Sequence, residues 1–339
     1  MVRPTLARWV AGSSIPIQAK QANSASNKVW ETTVRIPQLK LADAPACPVI
    51  DNLNEATTLV SRLLREGQGK TLVITGAGAS TDSGIPDYRG DQGTYVRNPK
   101  HRPILYHELA SSESFRQRYW ARGFLGWPEM SKAQPNPTHH ILAALMDQGH
   151  IQHLITQNVD GLHGMATPAH HHRNMVELHG TLYRVECLQC GSSAPREQYQ
   201  HRLLARNPSW QKFLSESHTI NPDGDVQLPA HLSFAQFDIP PCTGCGSRHM
   251  KPEVVFFGEN IRQDITANAE AMVRQARSVL VIGSSLATFS SFRLVRQAKQ
   301  MGLPIGIICK GRTRADTLAA WRVHLGCTEV LQNYVRSPL

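Results

Sequence analysis

Residues 71–80 read Thr-Leu-Val-Ile-Thr-Gly-Ala-Gly-Ala-Ser, a β-branched, apolar run that passes without a break into a loop of glycine, alanine and serine. A run with no polar face has to be covered on both sides, which is the situation of a strand inside a parallel sheet. Comparable runs occupy 153–156, 254–257, 278–282 and 304–308, and helical patterns lie between or after them at 138–148, 265–276, 289–301 and 314–325. Another helix is expected ahead of the first strand, where Leu53, Ala56, Leu59, Val60, Leu63 and Leu64 recur at helical spacing from an Asp51/Asn52 start. Strands alternating with helices of this length predict an α/β fold built on a doubly wound parallel sheet with both faces covered.

Two stretches break the alternation. Residues 87–137 are rich in arginine, proline and aromatics and follow the glycine loop directly, where an α/β fold places a ligand-covering segment. The second stretch is polar and opens and closes with Cys187-Leu-Gln-Cys190-Gly and Cys242-Thr-Gly-Cys245-Gly. Two thiolate pairs at this spacing form a closed tetrahedral set for one structural zinc and leave no position for a catalytic water. The other three of the seven cysteines, Cys47, Cys309 and Cys327, are scattered, which argues against an extracellular disulfide scaffold.

The chain carries 36 Lys and Arg against 26 Asp and Glu. Four of the basic residues, Arg3, Arg8, Lys20 and Lys28, precede the first acid, Glu31, in an arm with the composition of a mitochondrial presequence. The excess left over is mild and contains no block of five like charges, so no nucleic-acid partner is expected. The longest uncharged apolar stretch, 278–292, is too short and too rich in serine and glycine to span a bilayer, and no membrane partner is expected either.

Three loops leave the carboxyl ends of apolar strands: Gly76 to Asp87, Thr156-Gln-Asn-Val-Asp-Gly-Leu-His163, and Gly283-Ser-Ser285. Small residues let backbone N–H groups approach a phosphate at a helix N-terminus, and amides and carboxylates at that edge face the crevice where α/β ligands lie. The third glycine falls at 84 rather than 81, so the dehydrogenase fingerprint is not met, and no acid follows at the spacing a hydride-transfer enzyme needs. Gly69-Lys-Thr71 is not a phosphate loop, because residue 64 is leucine and Lys70 begins a strand. Neither a Gly-x-Ser-x-Gly elbow nor a His-Glu-x-x-His motif is present. His179, in Val176-Glu-Leu-His-Gly180, is a candidate general base. The trio His170-His-His172 has no second ligand motif nearby and reads as a solvated loop.

Taken in order, Gly76-Ala-Gly-Ala-Ser, Gly84-Ile-Pro-Asp-Tyr-Arg89, Thr156-Gln-Asn-Val-Asp160, His179-Gly, the two Cys-x-x-Cys pairs, Lys251-Pro-Glu-Val-Val-Phe-Phe-Gly258 and Gly283-Ser-Ser resemble the sirtuins, NAD-dependent protein lysine deacylases. The resemblance runs over roughly residues 50–332. Residues 116–128, Gln134-Pro-Asn-Pro137 and Pro222-Asp-Gly-Asp-Val226 look most like the class II, mitochondrial branch, in keeping with the arm and with a matrix location.

In that family the acyl-lysine carbonyl oxygen displaces nicotinamide from NAD, which is consumed as co-substrate, and the histidine matching His179 is the general base on a ribose hydroxyl. The resemblance implies that Ala77, Gly78 and Ser80, with the backbone around Ser284, hold the phosphates, that Gly76, Ala79, Gly283 and Ser285 also belong to the cofactor site, and that Asp87, Tyr88 and Arg89 belong to a flexible cofactor loop. Gln157 would contact the nicotinamide ribose, while Ile85, Asn158 and Asp160 would orient the carboxamide. Cys327 would lie near adenine, and Cys309 stands where many sirtuins place an asparagine on the adenosine ribose. Val254, Phe256, Phe257 and Gly258 match the segment that pairs with an acylated lysine-containing protein. Tyr119 and Arg122, three apart on one helix face, are expected to read an acidic or long acyl group.

The expected organisation is a presequence and arm (1–48), a catalytic domain (49–332) and a tail (333–339). The catalytic domain divides into a Rossmann-like part (49–86, 138–180, 253–332) and a small domain from 87–137 with the zinc module 181–252. Mono-ADP-ribosyl transfer at the same site and a non-catalytic NAD-sensing protein are the alternatives, and the oligomeric state is left open.

Overall fold

The computed structural model describes residues 47–99, 101–216, 218–228 and 232–336. Residues 1–46 of the presequence and arm expected at 1–48, and the last three residues of the tail, lie outside this range. Strands are β1 (Val49–Ile50), β2 (Thr71–Thr75), β3 (Ile151–Thr156), β4 (Met175–Glu177), β5 (Gly180–Cys187), β6 (Ser193–Pro195), β7 (Met250–Val254), β8 (Ser278–Ile282), β9 (Ile305–Ile308) and β10 (Trp321–Val323). Helices are α1 (Leu53–Gly67), α2 (Thr94–Arg97), α3 (Tyr106–Ser111), α4 (Glu113–Lys132), α5 (Pro137–Asp147), α6 (Leu162–Ala166), α7 (Arg196–Arg206), α8 (Gln263–Gln275), α9 (Phe289–Gln300) and α10 (Cys327–Arg336).

The apolar runs form one parallel sheet in the order β1-β10-β9-β8-β2-β3-β4. Successive side chains of a strand point to opposite faces. Leu72 and Ile74 accordingly pack with Met272 of α8 and Leu294 of α9, while Val73 packs with Val60 of α1, Leu142 of α5 and Leu331 of α10. The fold is thus Rossmann-like and covered on both faces. From β2 the chain moves to β3 on one side and, later, to β8 on the other. The crevice above β2 and β8 is therefore a topological switch point, where ligands of such sheets bind.

A second unit is built on the three-stranded antiparallel sheet β6-β5-β7. Its core holds Trp120 and Phe124 of α4, Tyr199 of α7, and Phe237. The Trp120 indole N–H donates to the Met250 carbonyl at 2.8 Å, tying α4 to β7. The stretch from 87 to 137, irregular in sequence, thus contains the twenty-residue helix α4. No helix among the described residues is long and apolar enough to cross a membrane.

Four local expectations are corrected. Residues 314–325 form hydrogen-bonded turns and then β10 instead of a helix. Ala315, Leu318 and Ala319 have helical spacing, but Trp321 lies flat over Gly306 of the neighbouring strand, where a Cβ would stand 2.3 Å from its ring. The strand expected at 254–257 ends at Val254 and belongs to the small sheet, antiparallel to β5. The glycine loop leads into two short 3-10 turns, Ala77–Ala79 and Thr81–Ser83, rather than a helix N-terminus, and the second stops at Gly84 with φ +83°. Finally, α10 runs through the domain end expected at residue 332.

Candidate active site and zinc centre

The four cysteines of the two knuckles converge. Cys187 Sγ is 3.6 Å from Cys245 Sγ, Cys190 Sγ is 3.6 Å from Cys242 Sγ, and all four sulfurs lie within 4.8 Å of one another. Zinc–thiolate bonds of about 2.3 Å in a tetrahedron require sulfur edges of about 3.8 Å, so the set fits one closed zinc site. Cys187 and Cys242 are buried in the core of the small unit, so the metal would pin β5 to the 242–245 turn. The histidine trio forms a surface turn in which His170 and His172 are exposed, as the sequence suggests. His172 Nε2 donates to the Gly164 and Thr167 carbonyls, and His171 is largely buried beside Asp147.

Backbone packing shapes the glycine loop. Gly78 N–H donates to the Gly283 carbonyl at 2.9 Å, and Gly283 has φ +62°. A Cβ at Gly78 would come within 2.9 Å of the Gly283 backbone, and one at Gly283 within 2.4 Å of Ala79 N. Two backbones this close leave room only for glycine. Ala79 is buried away from the cleft, and its carbonyl accepts from Asn136 Nδ2 at 2.8 Å, so its placement does not support the cofactor contact expected of it.

Beneath the loop lies a buried polar network. Ser80 Oγ donates to Asp160 Oδ2 at 2.7 Å and accepts from Asn158 Nδ2 at 3.0 Å, while Asp160 Oδ1 accepts from Leu162 N–H at 3.0 Å. Burial pushes the Asp160 carboxyl up from its ordinary value, against the hydrogen bonds that pull it down. His139 accepts from Asn136 N–H at Nδ1, which leaves its proton on Nε2, 3.4 Å from Ser80 Oγ. Burial lowers His139 to about 4 and holds it neutral. Gln157 Nε2 donates to the Thr75 carbonyl at 3.0 Å and to Ser284 Oγ at 2.7 Å, joining the loops that follow β2, β3 and β8.

His179 sits between β4 and β5 and lines the cleft. Its Nδ1 is 3.1 Å from the Gln157 carbonyl, and its Nε2 is 2.8 Å from Ser290 Oγ. A carbonyl only accepts, so Nδ1 carries the proton and Nε2 presents its lone pair. Burial pushes the imidazole down to about 4, so the neutral form prevails at physiological pH.

The cleft measures about 1630 Å³ and runs between the two units. Gly76, Ala77, Gly78, Ser80, Ile85, Asp87, Tyr88 and Arg89 line it, with Gln157, Asn158, Asp160, Gly283, Ser284, Ser285, Cys309 and Cys327. On the side of the small unit it is lined by Tyr119, Val254, Phe256, Phe257 and Gly258. Arg122 does not line it. Its guanidinium is buried against Asp225 at 2.7 Å and donates through Nε to the Val226 carbonyl at 2.8 Å. Asp223 and Asp225, which sequence reasoning did not single out as site residues, form that wall instead. Burial and the neighbouring Asp225 raise Asp223 to about 8. Ser290 was also missed, since a serine in the first turn of a helix carries no signal of its own.

The Sir2 family model matches residues 76–290. The chain is 45% identical over 288 residues to the NAD-dependent protein deacylase SIR4 of Batrachochytrium dendrobatidis, covering 82% of this chain and 93% of the relative. It is 42% identical over 293 residues to the human NAD-dependent protein lipoamidase sirtuin-4, mitochondrial, covering 85% and 88%. Among solved structures it is similar to one described as Sir2-p53 peptide-NAD+, with TM-score 0.62, 27% identity, and 83% and 97% of the two chains covered. The resemblance visible in the ordered motifs therefore holds over most of the chain, and the protein belongs to the Sir2 family.

Proposed function

We propose that this chain is an NAD-dependent protein lysine deacylase that transfers the acyl group of a modified lysine to ADP-ribose and releases nicotinamide. The observation that carries the reading is His179: a neutral imidazole lining the cleft where three glycine- and amide-bearing loops meet, its Nδ1 proton committed to the Gln157 carbonyl and its Nε2 lone pair left to accept from a hydroxyl, here that of Ser290. The residues present fit a dinucleotide. The glycines let the loops after β2 and β8 pack backbone to backbone at the floor of the cleft, and the cleft lies at the switch point of the sheet.

NAD supplies a ribose carbon that becomes electrophilic when nicotinamide leaves. The side chains divide the remaining work. Asn158 and Asp160, fixed through Ser80, are proposed to orient the carboxamide, with Ile85 closing the pocket to water. Gln157 lies toward the nicotinamide ribose, and Gly76, Ala77, Gly78 and Ser80, with Gly283, Ser284 and Ser285, lie along the phosphates. Asp87, Tyr88 and Arg89 would cover the cofactor, with Cys309 and Cys327 at its adenosine end. The backbone of 254–258, beyond the end of β7, is the proposed pairing edge for the acyl-lysine peptide, and Tyr119, in edge contact with Phe256 at 5.3 Å, bounds the acyl pocket. His179 Nε2 then takes the proton of a ribose hydroxyl as that oxygen closes onto the acyl carbon.

The basic, acid-free arm and the mitochondrial name of a relative support a mitochondrial location, within the matrix. The test is mass spectrometry of products from NAD and a panel of acylated peptides. Deacylated peptide, O-acyl-ADP-ribose and nicotinamide in equal amounts are expected. ADP-ribosylated protein without deacylated peptide would overturn the reading.

A further inference from the structure

We propose that Ser290 is the positioning residue of the general base: its hydroxyl donates to His179 Nε2 and, with the Gln157 carbonyl on Nδ1, holds the imidazole at both ends in one rotamer and one tautomer. The inference rests on the deacylase reading for its catalytic meaning, but the geometry stands apart from it. Ser290 Oγ and His179 Nε2 are 2.8 Å apart, and His179 Nδ1 and the Gln157 carbonyl 3.1 Å. Since the carbonyl fixes the proton on Nδ1, the hydroxyl has to be the donor at Nε2.

The segment that carries Ser290 is held from several directions. Leu286 is fully buried with φ +53°, a conformation a branched side chain adopts only where its surroundings enforce it, and its N–H donates to Ser284 Oγ at 3.1 Å. Ser291 Oγ bonds Thr288 Oγ1 at 3.0 Å, closing the first turn of α9. The Arg314 guanidinium lies over Phe289 at 5.6 Å and Phe292 at 4.3 Å, the rings on either side of Ser290, and its backbone N–H donates to the Ser285 carbonyl at 2.9 Å. A serine fixed this firmly is a fixed donor, and a fixed donor aims the lone pair it touches.

Nε2 has one lone pair, and Ser290 marks the place from which a hydroxyl reaches it. When a ribose hydroxyl arrives, Ser290 yields that place to the substrate, and the ring it has held is already in the reactive orientation. No charged side chain acts on His179 among the described residues; burial and the Gln157 carbonyl are the influences on its protonation besides Ser290. A hydrogen bond donated to Nε2 favours the neutral ring, so its loss moves the titration upward.

The experiment compares the wild-type protein with Ser290→Ala and Ser290→Thr in two readouts. Nitrogen NMR of the His179 ring in the cofactor-free protein should show a hydrogen-bonded Nε2 in the wild type and the threonine variant. In the alanine variant that signal should be lost and the ring's titration midpoint should rise by roughly half a pH unit. With NAD and an acylated peptide, alanine should lower kcat for acyl transfer about tenfold, with little change in KM and retained nicotinamide exchange, and threonine should restore kcat. An unchanged ring titration with unchanged kcat would overturn the proposal. So would an equal loss of exchange and acyl transfer, which is the pattern of a general structural defect. A wild type that releases no nicotinamide while its ring responds as described would sink the deacylase reading and leave the positioning role standing.

Discussion

Arg122 and Asp225 form an ion pair at 2.7 Å with their side chains 8% and 7% exposed. The arginine expected to read an acidic acyl group is therefore already neutralised by the protein's own carboxylate. A bidentate partner is lost to the substrate. Wild-type enzyme is predicted to show no preference for a glutaryl over an acetyl group. Asp225→Asn, which frees the guanidinium, should raise the glutaryl-to-acetyl rate ratio about tenfold. Rates on the two peptides check this, and an unchanged ratio in the variant contradicts it.

The pH dependence follows from the buried imidazoles. His179 lies at about 4 because burial disfavours its cation, so the basic form needed for proton abstraction persists through neutral and mildly acidic pH. Acyl-transfer rates should hold from pH 8 to about 6 and fall only as pH approaches 4. Stability has the same sign. His139, at about 4, and His163, well below its ordinary value, are neutral when folded, whereas in the unfolded chain they titrate near 6.5. The unfolded chain thus binds more protons between those values. Their contribution is complete above pH 6.5 and declines as pH falls toward 4. Tm measured across that window should drop, and His139→Gln should flatten the drop.

How much of this was legible depended on whether local chemistry and tertiary placement agreed. Thr71–Thr75 and Ser278–Ile282 read as buried strands because nothing but burial suits them, and the glycine and cysteine motifs carry their chemistry in short spacings. Residues 314–325 misled because the spacing of Ala315, Leu318 and Ala319 is equally served by turns against the core, and the choice was made by Gly306, a distant residue that admits the Trp321 ring. Arg122 misled in the same way: the helix face was right, but its partner Asp225 stands 103 residues later. Ser290 and Asp223 acquire meaning only when the chain folds back on itself.

The zinc centre makes a structural prediction. Cys242→Ser should take zinc from one per chain to none and lower Tm by about 10 °C, because a closed thiolate site contributes its binding energy to folding. Metal analysis alongside thermal unfolding checks it. Retention of both zinc and Tm would remove the metal from the account of the small unit.

Cys309 follows β9 in the cleft, and burial pushes its thiol up to about 11, so it faces the site as a neutral, weak hydrogen-bonding group. Cys309→Asn places a stronger donor and acceptor there. The KM for NAD should fall about threefold to tenfold with kcat little changed. A KM that rises would place the adenosine ribose elsewhere.

The central claim is tested most directly by following nicotinamide release and peptide deacylation together in wild type and His179→Ala, both purified with zinc bound. The account predicts one nicotinamide per lysine freed in the wild type, and in the variant a loss of deacylation of about a hundredfold or more with zinc content and Tm retained. Equal deacylation by the two proteins, or lysine freed without nicotinamide, would contradict it.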